Sequence, residues 1–167
     1  MALTFRFAQE TDTLLILQFI RELADYEHLL DQVVADEATL RDQLFEKRRA
    51  EVLFALEDGA EVGFALFFQN FSTFLGRAGL YLEDLYVRPE HRGKRDMGKA
   101  FFRRLAAIAA ERDCGRLEWW CLDWNTPEHR LLQVPGGGDH GGLDRLPPYR
   151  TGIAEAGRTG ISGCGNR

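Results

Sequence analysis

Over its first three quarters the chain alternates between two hydrophobic periods. From Leu3 to Ala8 (LTFRFA) apolar and polar residues change at nearly every step, the period of a half-buried strand. From Thr11 to His28 the residues Ile16, Phe19, Ile20 and Leu23 recur at intervals of three and four, which predicts an amphipathic helix. Asp36 can cap a second, short helix ending near Phe45. Two strand-like runs, EVLFALE and EVGFALFF, are joined across Asp58-Gly59, a pair suited to the positive φ values of a two-residue hairpin turn. Gly79 to Val87 (GLYLEDLYV) predicts a third run of strand. Phe101, Leu105 and Ile108 then mark a helix from near Gly98 to about Arg112, and Arg116 to Leu122 (RLEWWCL) gives the last clear strand. The order β-α-α-β-β-β-α-β predicts a mixed α/β layer.

From Glu128 onward neither period is present. Ten of the seventeen glycines fall in residues 128–167, whereas all twelve phenylalanines and all three tryptophans precede them. PGGGDHGG fits no strand or helix, and IAEAGRTGISGCGNR is broken by glycine too often for a helix. This composition predicts a flexible extension. It follows a strand that reads as buried, where an α/β domain is expected to continue.

Length and composition narrow the class. A chain of 167 residues can bury one real core, and 45% apolar with 28% charged residues is an ordinary globular mixture. No stretch has the roughly 20 uninterrupted apolar residues of a membrane span. MALTFRFAQETD lacks the basic and then apolar pattern of a signal peptide, so the expected location is the cytoplasm. A net charge of −5 argues against a nucleic-acid partner. Cys114, Cys121 and Cys164 form no metal-ligand spacing and read as reduced residues, and no metal site is expected. His28, His91, His129 and His140 have no spacing for a metal or a catalytic triad, and Trp119, Trp120 and Trp124 read as core and edge packing.

The most informative segment is LEDLYVRPEHRGKRDMGKAFFRRL. A strand ends at Val87, and Arg92-Gly93-Lys94 opens towards the helix near Gly98. Glycine allows close backbone approach, and amides at a helix start carry partial positive charge. With Arg92, Lys94, Arg95 and Lys99 they suit a diphosphate, although a basic glycine-containing turn between strand and helix can equally be a solvated connection.

This arrangement resembles the acetyl-CoA site of the GNAT N-acetyltransferases, and more closely that of the spermidine/spermine (diamine) N-acetyltransferase branch. The segments that carry the likeness are FIRELADYE (Phe19 to Glu27), VGFALFF (Val62 to Phe68), LYLEDLYVRPEHRG (Leu80 to Gly93) and LDWNTP (Leu122 to Pro127), in the family's order. The resemblance implies a GNAT-like mixed, mostly antiparallel sheet flanked by helices over residues 1–127, with an atypical tail over 128–167. It implies acetyl-CoA as cosubstrate, a primary amine of a small cation (a polyamine, diamine or lysine-like molecule) as acceptor, and a homodimer.

The same resemblance assigns roles. The backbone of Leu85, Tyr86 and Val87 pairs with the pantetheine arm as an added strand. Arg92, Gly93, Lys94, Met97, Gly98 and Lys99 line the diphosphate loop, and Asn125 hydrogen-bonds the cofactor arm. Tyr26, Glu27 and Glu83 line the amine pocket. Carboxylates suit that pocket because the acceptor arrives as an ammonium ion and must lose a proton before it attacks the thioester. Glu83, acting through water, is the candidate base.

Two departures from the family's pattern stand out. Its loop reads R-G-x-G-x-G/A, whereas here Arg95-Asp96-Met97 separate Lys94 from Gly98, one residue more and without the middle glycine. After Pro127 the family continues into a helix with a Phe-Tyr pair whose tyrosine protonates the departing thiolate, and Leu132 stands at that tyrosine's position. Read one nucleotide later, with permitted codon choices, the tail can spell SIDFYKSLGAETMEDWTVYRLTG. A base gained near codon 128 therefore accounts for the missing pair and the glycine excess, and a natively divergent tail is the alternative.

The sequence thus points to an N-acetyltransferase that works by direct attack of the amine on the thioester, impaired in this chain by its tail. The rival readings are a CoA- or amine-binding protein without catalysis, favoured by the absent tyrosine, and an acetyltransferase acting on protein amines.

Overall fold

A computed structural model of the chain describes residues 3–93, 96–122 and 149–155, with the backbone alone at 120–122 and 149–155. In chain order the elements are β1 (Leu3–Phe7), α1 (Thr13–Tyr26), α2 (Glu37–Arg41), β2 (Glu51–Glu57), β3 (Ala60–Ser72), β4 (Arg77–Val87), α3 (Met97–Glu111), β5 (Arg116–Leu122) and β6 (Tyr149–Glu155). Hydrogen-bonded neighbours follow the order β1-β2-β3-β4-β5-β6. β1 with β2, β2 with β3 and β5 with β6 pair antiparallel, while β4 and β5 pair parallel. This is the mixed α/β layer that the element order predicts and the mostly antiparallel sheet that the family resemblance implies. The chain forms two compact units, Met1–Phe68 with Asp84–Lys94 and Gln69–Glu83 with Arg95–Arg167.

The first unit is built on the apolar stripe of α1. Ile16, Phe19 and Leu23 lie on one face of the helix and are buried, whereas Leu14, off that stripe, is exposed. The Phe19 ring is stacked on Phe64 at 5.3 Å between centroids and tilted against Phe54 at 5.8 Å. It also meets the edge of Tyr86 at 6.4 Å. Offset and edge-on contacts of this kind add to the free energy of burial itself. The hairpin between β2 and β3 turns at Asp58 (φ 52°) and Gly59 (φ 86°), both in the left-handed region the pair was expected to adopt. The Asp36 carboxylate accepts from the Thr39 amide and caps α2, whose path continues as a π turn over Asp42–Glu46.

In the second unit, Phe101, Leu105, Ile108 and Ala109 of α3 are buried, as are Leu117 and Trp119 of β5. The Phe102 ring meets Trp119 edge-on at 5.0 Å. Trp119 is thus a core residue, as expected, and Cys114 is a buried free thiol. Gly79 lies beneath polar side chains: a Cβ there would stand 2.3 Å from Asn70 Oδ1 and 2.9 Å from Arg116 Cγ. Only glycine leaves room for the Asn70 amide and the Arg116 guanidinium, both of which bond the Glu118 carboxylate.

The tail departs from expectation. Tyr149–Glu155, read from composition as part of a flexible extension, forms β6 and pairs with β5 along its whole length, from Arg116–Glu155 to Leu122–Tyr149. An edge strand carries a row of backbone donors and acceptors that a neighbouring segment can satisfy. In YRTGIAE, Tyr149, Thr151 and Ile153 occupy alternate positions that suit a strand, a signal the surrounding glycines conceal.

Replacing Phe19 by alanine removes the ring on which Phe54, Phe64 and Tyr86 converge. Urea unfolding of Phe19→Ala is expected to show a loss of about 3–5 kcal/mol.

Candidate active site

Helix α1 ends where its apolar stripe ends. The Glu27 amide still donates to the Leu23 carbonyl at 3.0 Å, and His28 then takes a left-handed φ of 60° that leaves the helix. Tyr26 and Glu27, both expected in the amine pocket, therefore sit at this helix terminus. Glu27 is half-buried and burial pushes its carboxyl above the ordinary value. A carboxylate in that condition gains when a cation reaches it.

The end of β4 belongs to the same unit. Leu85 and Val87 are half-buried, and Tyr86 between them turns into the Phe19 core with its hydroxyl raised by burial. Tyr26 and Tyr86 face each other at 6.4 Å between centroids. The Arg92 guanidinium lies over both rings, its Cζ 4.1 Å from the Tyr26 centroid and 5.1 Å from that of Tyr86. Arg92 Nε donates to the Val87 carbonyl at 2.7 Å. Gly93 follows with φ 70° and no atom within 4 Å of where a Cβ would stand. Its backbone is thus open to close approach.

Arg88 ties this strand end to α1. Its Nε and Nη2 each donate to the Glu22 carboxylate at 3.0 Å, its Nη1 donates to the Glu61 carbonyl at 3.1 Å, and its Cζ lies 4.6 Å over the Phe19 ring. Burial by itself raises the Glu22 carboxyl, but the Arg88 and Gln18 hydrogen bonds outweigh it and hold Glu22 below its ordinary value. His91, one turn further, pairs through Nδ1 with Glu57 Oε2 at 2.7 Å. Sequence reading assigned this histidine nothing. The missing signal is spatial, since its partner lies 34 residues away.

The remaining predicted residues lie in the second unit or outside the described residues. Glu83 is exposed on β4. The parallel register between β4 and β5 runs from Gly79–Arg116 to Leu82–Trp119 and stops there, although β4 itself continues to Val87 and β5 to Leu122. At the start of α3 the Met97 side chain is buried, so only its backbone can face a ligand, while Gly98 and Lys99 are half-buried. Lys94 and Asn125 lie outside the described residues.

Asp96 takes a left-handed φ of 48° and its side chain does not cap the helix. Its carboxylate instead reaches Lys99 Nζ at 3.3 Å. The Asp96 carboxylate thus does not cap α3, whose first amides carry the partial positive charge of a helix start.

The family model described as acetyltransferase (GNAT) family matches residues 16–134. The chain is 38% identical over 143 residues to thialysine N-epsilon-acetyltransferase of Bos taurus, covering 80% of this chain and 83% of that one. It is 28% identical over 167 residues to an L-ornithine N5-acetyltransferase of Arabidopsis thaliana, covering 72% and 73%. Among solved structures, the Salmonella typhimurium protein yncA with its cofactor acetyl-CoA superposes with a TM-score of 0.69 at 20% identity, covering 95% of this chain and 96% of that one. The chain belongs to the GNAT acetyltransferase family. It is an acetyl-CoA-dependent N-acetyltransferase.

Because Glu22 is depressed in the folded state, its pairing with Arg88 stabilises the protein above the unfolded carboxylate pKa and is lost as pH falls through the folded one. Glu22→Gln is expected to be less stable at neutral pH by about 1–2 kcal/mol and to lose less than the wild type below about pH 5, measured by urea unfolding across that range.

Proposed function

We propose that the chain acetylates the primary amine of a small cationic molecule, a diamine, polyamine or lysine-like compound, by direct attack of the amine on the acetyl-CoA thioester. The observation that carries this reading is Glu27, a half-buried carboxyl raised by burial at the end of α1, next to Tyr26. An ammonium group there offsets the burial penalty on the carboxylate, and a neutral acceptor does not. The names of the Bos taurus and Arabidopsis thaliana relatives support a side-chain amine of a small cationic amino acid as the acceptor class.

In this reading the backbone of Leu85, Tyr86 and Val87 takes the pantetheine arm as an added strand. Arg92 and Gly93, together with Lys94 and the start of α3 at Met97, Gly98 and Lys99, hold the diphosphate. Asn125 holds the arm. Glu83, exposed on β4, removes the ammonium proton through water. Acetyl-CoA supplies an activated thioester, and the protein supplies position and charge. The working unit is a homodimer in the cytoplasm.

The tail bears on rate. Leu132 stands where a tyrosine is expected to protonate the leaving thiolate, and a base gained near codon 128 accounts for the substitution. The specific alternative is a protein that binds CoA without turning it over. Sequencing the gene across codons 120 to 167 tests the first account: a single-base deletion that opens a frame with the Phe-Tyr pair supports it, and codons that admit no such frame overturn it.

Release of CoA thiol with acetyl-CoA and spermidine or thialysine tests the activity itself. Thiol release that depends on the amine is expected, and CoA binding without release favours the binding protein. Glu83→Gln is expected to lower kcat by about 10²-fold or more, and Glu27→Gln to raise the amine KM with a smaller effect on kcat. Leu132→Tyr is expected to raise kcat, by up to about 10²-fold, when thiolate departure limits the rate.

A further inference from the structure

We propose that the rings of Tyr26 and Tyr86 form a cation site for a charged end of the acceptor, and that Arg92 fills this site until the cosubstrate's diphosphate draws its guanidinium away. The inference rests on the reading above, in which Arg92 belongs to the diphosphate loop.

Three arginines of the first unit show the contrast. Arg6 is held by the Asp12 and Glu61 carboxylates, and Arg88 by Glu22, each with charge-assisted hydrogen bonds. Arg92 has no such carboxylate partner among the described residues. It is held by one hydrogen bond from Nε to the Val87 carbonyl and by the faces of two tyrosines, with Cζ at 4.1 and 5.1 Å from their centroids. Both distances fall within the range over which a ring quadrupole attracts a cation. The two Nη groups, the paired donors that suit a phosphate, are not engaged by any described residue.

The site is shaped for a cation without needing this particular one. Tyr86 is 6% exposed with the guanidinium in place, so the ring lies beneath it rather than in solvent. Tyr26 is fixed at the last turn of α1. The two rings are tilted by 57° to each other, which leaves both faces directed towards one bound charge. Gly93, at φ 70° with open space around it, supplies backbone freedom next to Arg92. An anion offers Arg92 stronger partners than a carbonyl and two rings, while the rings left behind accept an ammonium or guanidinium from outside.

The consequence is an order of binding. Without CoA, an acceptor competes with a tethered guanidinium at high local concentration. With CoA, that competitor is removed and the acceptor binds more tightly, and the coupling is reciprocal.

Calorimetric titration of the full chain with spermidine, with and without desacetyl coenzyme A, tests this without turnover. In the wild type, CoA is expected to tighten spermidine about threefold to thirtyfold, the range of one cation–ring contact. In Arg92→Gln, spermidine is expected to bind tightly with or without CoA, and the coupling is lost. Tyr26→Leu serves as a second variant should Arg92→Gln fail to fold. It is expected to weaken spermidine in the presence of CoA, whereas Tyr26→Phe retains the ring and the coupling. Coupling that is absent in the wild type, or that survives Arg92→Gln or Tyr26→Leu, overturns the proposal and leaves the acetyltransferase reading standing. Failure of the wild type to bind CoA at all overturns both.

Discussion

Phe19 is the contact on which the first unit depends. It is fully buried on α1, stacked on Phe64 of β3, tilted against Phe54 of β2 and met edge-on by Tyr86 of β4. A single ring thus joins a helix to three strands. The Arg88 guanidinium covers its outer face while pairing with Glu22, one turn further along the same helix. Because dense packing leaves few alternative arrangements, this contact fixes both the pitch of α1 and the depth of Tyr86. Tyr26 and Glu27 inherit their positions from that constraint.

The charges of the site follow from the same packing. Arg88 is committed to Glu22, and Arg6 to Asp12 and Glu61, so these pairs serve structure. Glu27 is left at the helix end with its carboxyl raised, and Arg92 is held by rings and a carbonyl. The groups available to a ligand are therefore those that the ion pairs do not consume. In the second unit, the glycine at 79 lets polar side chains lie against β4, and the Asp96 side chain does not cap the start of α3.

Much of the fold was legible because local signals agreed. The stripe Ile16, Phe19 and Leu23 gave α1, Asp58-Gly59 gave the β2–β3 hairpin, and the runs RLEWWCL and GLYLEDLYV gave paired strands. The tail was not legible, because its strand at Tyr149–Glu155 is set by pairing with β5 rather than by its own glycine-interrupted pattern. For the site, residue types were readable but partners were not. Arg92 read as a phosphate ligand, yet its position over Tyr26 and Tyr86 comes from tertiary contact. His91 read as unassigned until Glu57 lay beside it. The loop read as one residue too long, and its Asp96 takes a left-handed backbone with its carboxylate bonded to Lys99, which no sequence pattern announces.

The most direct measurement is a competition. The purified chain is incubated with acetyl-CoA and an equimolar mixture of spermidine, thialysine, a neutral primary amine and a lysine-containing peptide, and the acetylated products are identified by mass spectrometry. Acetylation confined to the small cationic amines, at whatever rate the tail allows, is the predicted result. Acetylation of the peptide or of the neutral amine in preference to them contradicts the account of Glu27, Tyr26 and Glu83 as an amine pocket.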